Sequence, residues 1–371
     1  MILTGRQRLE NILARRPNRR LSWTTLVDAT TRSAMPQAMQ QMSPLEFYRH
    51  IGCDILQFGN YGLPADSQVA SPARLVWAAR DQWHQEGDLT VRRTTSRWGA
   101  LTATFCKGHP VKHPVTTLEE LAIFRSIWRE SRYEERKDDQ PERTFRQAEQ
   151  AIGASGLYVP VTDPSPVQQL IELDMGLEAF YYLLQDHRAP MEELLAAMHR
   201  CRLEEYTILA QRSGAAAVIP VENTSSTLVS PAVYERYSLP HLSEYARVLH
   251  AHGKQIILHM CGRLRHLLPL IGRTGLDGVN GLTPPETGDV QFEEALDVLG
   301  EDLVILGGVF PTEVFHARST TPAQIHRTLD GLFTPRLRRA HMLLWVAVDG
   351  LPTPLERLLA VRDWFDRNGH N

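Results

Sequence analysis

His259 and Cys261 stand two residues apart in Leu258-His259-Met260-Cys261-Gly262. On a β-strand such residues point to the same side, so an imidazole and a thiolate would be presented together. Zinc accepts that pair, and a catalytic zinc site needs three protein ligands and one open position. The same pattern suits two buried structural side chains, and His-x-Cys alone does not separate the readings. Its place before Gly262, at the end of an apolar run, favours the metal.

Two carboxylates have the chemistry to extend the set. Glu222 opens Glu222-Asn223-Thr224-Ser225-Ser226, and Asp349 interrupts an apolar run before Gly350-Leu351-Pro352. Either could instead cap a helix or hold a loop. Asp28, Asn60, Asp163 and Asn223 stand at the ends of other apolar runs, where polar groups could meet a substrate, although Asp163-Pro164 also reads as a turn. Gly307-Gly308 would let a ligand, or another protein's cofactor, approach the backbone closely, or would serve a tight turn.

These residues share a position in the pattern. Eight short apolar runs, at 21–28, 54–60, 157–163, 216–222, 255–261, 278–284, 303–309 and 342–349, end in polar or small residues. From residue 155 onward they alternate with helical periodicity at 190–212, 231–251, 264–273, 292–299, 322–332 and 353–367, which argues for a parallel sheet. Ser230-Pro231, Thr321-Pro322 and Thr353-Pro354 each place a candidate cap before a proline suited to a first helical turn. The expected fold is α/β, a (β/α)8 TIM barrel spanning 1–371 as one domain. Its eight βα loops would gather the candidate residues at one mouth. The breaker-rich stretch from Gly281 to Asp289 would then be a rigid loop at that mouth.

The long gap between the second and third runs, 61–155, predicts an inserted α+β subdomain that hangs over the mouth as a lid or docking surface. It shows a hairpin pattern at 89–93 and 100–105, helical patterns at 117–128 and 143–152, and a charge-rich stretch at 129–143 that reads as a solvated, mobile face. Tyr61, Trp83, Trp98 and Phe105 would line a cover over the site or pack the insertion's own core.

With 371 residues, 43% hydrophobic and 22% charged, and a formal net charge of −3, the chain has no electrostatic reason to seek nucleic acid or a membrane surface. The polar, arginine-bearing start reads as neither a signal peptide nor a membrane span, so a cytoplasmic location is expected. Four scattered cysteines, Cys53, Cys106, Cys201 and Cys261, do not form a disulfide framework.

Together the helical start at 4–15, Gly52-Cys53-Asp54-Ile55-Leu56, the Ser230-Pro231 helix start, Leu258-His259-Met260-Cys261-Gly262, Gly275-Leu276-Asp277, Leu306-Gly307-Gly308-Val309 and Asp349-Gly350-Leu351-Pro352-Thr353-Pro354 resemble the uroporphyrinogen decarboxylase superfamily, and specifically its cobamide-dependent methyltransferase branch. The resemblance implies a (β/α)8 barrel that uses zinc to move methyl groups between a small substrate and a corrinoid carried on a partner protein. Two departures narrow it. The decarboxylases' arginine-rich loop after the first strand is replaced by Asp28-Ala29-Thr30-Thr31-Arg32-Ser33, so one Arg32 would face many porphyrin carboxylates, although Asp54 lies near that family's catalytic aspartate. The branch's coenzyme M enzymes complete their zinc site with a late cysteine, whereas this chain has none after Cys261, and Asp349 stands at about that place.

The expectation is therefore a zinc site of His259, Cys261, Glu222 and Asp349, with Asp28, Asn60, Asp163 and Asn223 around the substrate and Gly307-Gly308 toward the corrinoid (cobalamin). A carboxylate in place of a thiolate hardens the ligand set and suits an oxygen leaving group, hence a small methylated, chiefly methoxylated, substrate. Methyl transfer from corrinoid to a thiol, decarboxylation, and a non-catalytic corrinoid-handling barrel are the alternatives. A homodimer is compatible with the sequence.

Overall fold

Each of the eight apolar runs contains a strand in the computed structural model, which describes residues 3–370. They are β1 (Ser22–Leu26), β2 (Ile55–Phe58), β3 (Gly156–Val159, resuming as Val161–Thr162), β4 (Ala217–Pro220), β5 (Gln255–His259), β6 (Gly278–Asn280), β7 (Val304–Val309) and β8 (His341–Ala347). Their near-continuous burial is what strands covered on both faces require.

Seven strands form one curled parallel sheet, in the order β1, β8, β7, β6, β5, β4 and the second part of β3. The first part of β3 pairs in parallel with β2, from Ile55 opposite Gly156 to Phe58 opposite Val159. Pro160, which has no N–H to give, marks the change of partner, yet its carbonyl still accepts from Ile219 of β4 at 2.9 Å. Between β1 and β2, Asp54 N–H donates to Trp23 O at 2.9 Å. The result is an α/β, TIM-barrel-like architecture.

Leu56, Val159, Ile219, Ile257, Leu306 and Leu343 pack together at the barrel axis with Leu9 and Ile12. The last two belong to helix Gly5–Leu13, whose start is fixed by a reciprocal capping box between Thr4 and Gln7. This helix closes the end of the barrel where the strands begin, and Arg8 pairs there with Asp54. Asp54 precedes β2 and so lies at the end opposite the strand termini.

Helices Arg188–Arg212, Phe292–Leu299, Pro322–Leu332 and Leu355–Asn368 agree with the periodicity. Two of the expected helix starts need correction. Residues 264–267 are turn rather than helix, because Asp289 accepts from Leu264 N–H at 2.7 Å and helix Leu268–Gly272 starts later. Thr353 does not cap: its hydroxyl donates to Leu351 O at 3.0 Å, and helix Leu355–Asn368 begins after Pro354. Residues 166–186 are helical throughout most of their length, with a π-helical segment at Leu170–Asp174 that the sequence did not suggest.

Between β2 and β3 the chain forms a four-stranded antiparallel meander (Arg80–Glu86, Leu89–Ser96, Gly99–Cys106, His109–Lys112) and helices Leu118–Glu130 and Gln140–Ile152. The charge-rich stretch 129–143 is not simply solvated. Arg132–Glu135 pairs with Ala73–Val76, and Arg212 binds both Glu135 and Glu142. Among the described residues, no helix is long and apolar enough to cross a membrane.

Candidate active site at the strand ends

His259 is the last residue of β5, 8% exposed, and its ring is oriented by the neighbouring strand. Asn280 ends β6; its amide NH2 donates to Leu306 O, which leaves its Oδ1 to accept from His259 Nδ1 at 2.5 Å. The proton therefore sits on Nδ1, and Nε2 carries the free lone pair. Burial holds the imidazole below its ordinary pKa, against the pull of Asn280, Asp349 and Glu172, so the ring is neutral near pH 7. A neutral imidazole whose far nitrogen is anchored is the form in which histidine binds metals.

Two glycines make this arrangement possible. A Cβ on Gly281 (φ +77°) would stand 3.0 Å from His259 Cε1 and 3.2 Å from Nδ1. A Cβ on Gly307 (φ +115°) would stand 2.5 Å from Asn280 Nδ2, at a register shift in the β7–β8 ladder. Gly307 thus serves the residue that orients His259. A Cβ on Gly308 would instead meet Met342 Cε at 2.8 Å, a matter of packing.

Cys261 opens to the mouth, and its Sγ lies 3.5 Å from Asn223 Oδ1. Surrounding protein pushes the thiol's pKa up, with Glu172 adding to the effect, so it stays protonated unless a cation is supplied. Asn223 has a left-handed backbone (φ +44°), its N–H donates to His259 O at 3.0 Å, and its Nδ2 donates to Glu172 Oε1 at 2.8 Å. One amide thus touches both the thiol and a carboxylate.

Glu172 is the residue that the sequence reading missed. It sits in the π-helical segment Leu170–Asp174 and acts electrostatically on both His259 and Cys261. In the run Leu170-Ile171-Glu172-Leu173 nothing in the sequence separates it from an ordinary helix-surface acid; π-helical turns at functional sites are the only general hint.

Glu222 does not join the group. It is fully buried, its Oε1 accepts from Ser165 N–H at 2.6 Å and its Oε2 from Ser165 Oγ at 2.8 Å. Desolvation pushes its pKa up to about 7, the two Ser165 bonds opposing. Asp349 lies just beyond β8, where partial desolvation of its carboxyl and nearby Asp28 raise its pKa while its own backbone N–H, His259 and His316 pull it down. It is therefore close enough to His259 to be felt by it.

Asp28 caps helix Ala29–Arg32, accepting from Thr31 N–H (2.7 Å) and Oγ1 (2.8 Å), and ties it to Gly350 N–H (3.1 Å). Burial raises its pKa, but these bonds together outweigh it and leave the group below its ordinary value. Asn60 is a loop brace, giving to Val69 O at 3.0 Å and accepting from Val69 N–H at 2.8 Å. Asp163 is a counterion, 3.0 Å from Arg202. Neither is brought to His259. Arg32 is spent on Met39 O and Met42 O, so no arginine-rich carboxylate clamp forms after β1.

Histidine nitrogen, cysteine sulfur and carboxylate oxygen are the donor types of a catalytic zinc site. Among the described residues, no three such side chains already stand close enough together to hold a metal ion. Asn223 is interposed between two of them.

The fold and mouth define a TIM-barrel-like α/β protein with a polar site at its strand ends. Residues 170–337 match the family described as Uroporphyrinogen decarboxylase (URO-D). A curated uroporphyrinogen decarboxylase of Geobacter sulfurreducens is 28% identical over 121 residues, 33% of this chain and 34% of that protein, so the match spans about a third of the relative's length. A methyltransferase from Methanosarcina mazei shares the fold across 98% of both chains, with a TM-score of 0.58 and 15% identity.

Proposed function

We propose that this protein is a zinc-dependent methyltransferase that takes a methyl group from a small methoxylated substrate and passes it to a corrinoid carried on a partner protein. The observation that carries the reading is the His259–Asn280 pair, which leaves a neutral imidazole with its lone pair at Nε2, beside the Cys261 thiol and Glu172. His259 and Cys261 would hold the ion, with Glu172 and Asp349 as oxygen donors, one of which yields to substrate because catalysis needs an open position. When bound, zinc would supply Lewis acidity to the substrate oxygen and the positive charge that ionises Cys261.

The chain's own residues do the rest. Asn280 fixes the tautomer and angle of His259. Asn223 keeps Cys261 and Glu172 within reach of one amide, and Cys261 would turn from Asn223 to serve as a ligand if zinc were bound. Gly281 leaves the space against His259 open. The full-length fold shared with a methyltransferase and the absence of an arginine clamp support this over porphyrinogen decarboxylation.

The test uses zinc-loaded protein, guaiacol as methyl donor and free cob(I)alamin as acceptor under anaerobic conditions. Methylcobalamin, followed by its absorbance, should form only when all three are present. Demethylation at the same rate without the corrinoid would replace the proposal with metal-assisted hydrolysis.

A further inference from the structure

Glu172 reaches the mouth from a turn that other parts of the chain hold in place. In the π-helical segment Leu170–Asp174 the Met175 N–H donates to Leu170 O at 2.7 Å, and Met175 then leaves helical geometry (φ −124°) before Gly176. A π turn is wider and rarer than an α turn and occurs mostly as a single turn at functional sites. Leu170, Ile171 and Asp174 are buried, and Glu172 is directed to Asn223.

The segment is gripped from two sides. On the barrel side Asn223 Nδ2 donates to Glu172 Oε1 at 2.8 Å. Gln169 Nε2 donates to Asp174 Oδ2 at 3.0 Å, while Gln169 Oε1 accepts from Arg202 at 2.8 Å. On the other side stand the meander strand Leu89–Ser96 and the residues that follow the meander. His113 Nδ1–H donates to Leu173 O at 3.2 Å, and Val115 N–H donates to Asp174 O at 3.0 Å. Arg92 lies 3.9 Å from the Asp174 carboxylate, which is buried enough to be little screened by salt. The His113 ring packs directly on the break in the helix, since a Cβ on Gly176 would stand 2.8 Å from its Cδ2. These contacts fall on Leu173 and Asp174, the two residues after Glu172, and on the glycine that ends the turn.

We propose that Arg92 and His113 are positioning residues that clamp the π-helical turn from the meander side and so fix Glu172 against Asn223 at the mouth. The proposal rests on the methyltransferase reading only in taking Glu172 as an oxygen donor to zinc. Side chains that support a metal ligand govern affinity although they never touch the ion. The chain between β2 and β3 is then part of the frame of the site as well as a neighbour of its mouth, and binding that moves the meander is coupled to Glu172.

The test has a metal-free arm and a zinc arm. In the full-length chain carrying isotopically labelled asparagine, the side-chain amide of Asn223 reports by NMR on its contact with Glu172. Asn223→Asp identifies the signal, and Glu172→Ala gives its position once the contact is gone. His113→Leu and Arg92→Gln should each move the signal toward that position, whereas His113→Asn, which keeps a side-chain N–H, should leave it near the parent's. With zinc, chelator competition should show His113→Leu and Arg92→Gln each weakening binding about tenfold. Neither should add to the loss already caused by Glu172→Ala, because both act through that residue. His113 is only half-buried, so His113→Leu carries the test alone if Arg92→Gln unfolds. The proposal falls if the Asn223 signal stays in place in the clamp variants or in Glu172→Ala, if zinc affinity remains parental in the clamp variants, or if their losses add to that of Glu172→Ala, the mark of general destabilisation. A parent chain that binds no zinc overturns the methyltransferase reading instead, and the Asn223 signal still decides the clamp.

Discussion

At the scale of single residues the account turns on which atoms remain free. Asn280 takes the Nδ1–H of His259, so removing the amide should loosen the ring and its tautomer together. Asn280→Ala is expected to weaken zinc binding about 10- to 100-fold while the far-ultraviolet spectrum stays unchanged, as second-layer substitutions do at metal sites. Competition with a zinc chelator measures it, and parental affinity would remove Asn280 from the argument. Glu222 gives the opposite kind of prediction. Its folded pKa, about 7, lies above its ordinary 4.5, so its contribution to stability is intact below about pH 4.5 and is lost as the pH rises through 7. Glu222→Gln should therefore gain on the parent by on the order of 3 kcal/mol at pH 8 and by almost nothing at pH 4. Denaturant melts at the two pH values check the sign. The sequence made His259 and Cys261 legible because alternation on a strand is a strong rule. It placed both Glu222 and Asn223 at the mouth, although one residue of register decides which faces it, and the left-handed turn at Asn223 settles it.

At the scale of elements, the site is held by irregularities in regular structure. The register shift at Leu306 and Gly308 brings Gly307 against Asn280, where a methyl group has no room. Gly307→Ala should cost about 1–3 kcal/mol through backbone strain and also reduce zinc affinity by displacing Asn280. A loss of stability with unaltered affinity would mean that Gly307 serves packing alone. The π-helical segment Leu170–Asp174 likewise sets the angle of Glu172. Strand periodicity and the proline-capped helix starts at Ser230 and Thr321, though not the one expected at Thr353, were readable because each follows from local backbone chemistry. The π-helical turn and the extra meander strands were not, because π-helical hydrogen bonding leaves no periodic mark in so short a run, and Arg80–Glu86 and His109–Lys112 are exposed enough to lack an alternating apolar face.

At the scale of the whole molecule, the curled parallel sheet brings the end of β5, the turn after β4 and the end of β8 to one mouth, so His259, Asn223 and Asp349 become neighbours despite their separation in sequence. The eight-fold alternation made that convergence legible. What it left open was which polar ends face inward: Asn60 and Asp163 end their runs as the others do but are consumed by Val69 and Arg202. The central claim is a mixed nitrogen, sulfur and oxygen zinc centre built on His259 and Cys261. Zinc K-edge X-ray absorption on the purified, zinc-loaded full-length chain addresses it directly, beside the Cys261→Ala variant. The account predicts about one zinc per chain, a single sulfur at about 2.3 Å with nitrogen and oxygen at about 2.0–2.2 Å, and loss of the sulfur shell and most of the metal in Cys261→Ala. A parental spectrum without sulfur, or a variant that keeps its zinc and its spectrum unchanged, would contradict it.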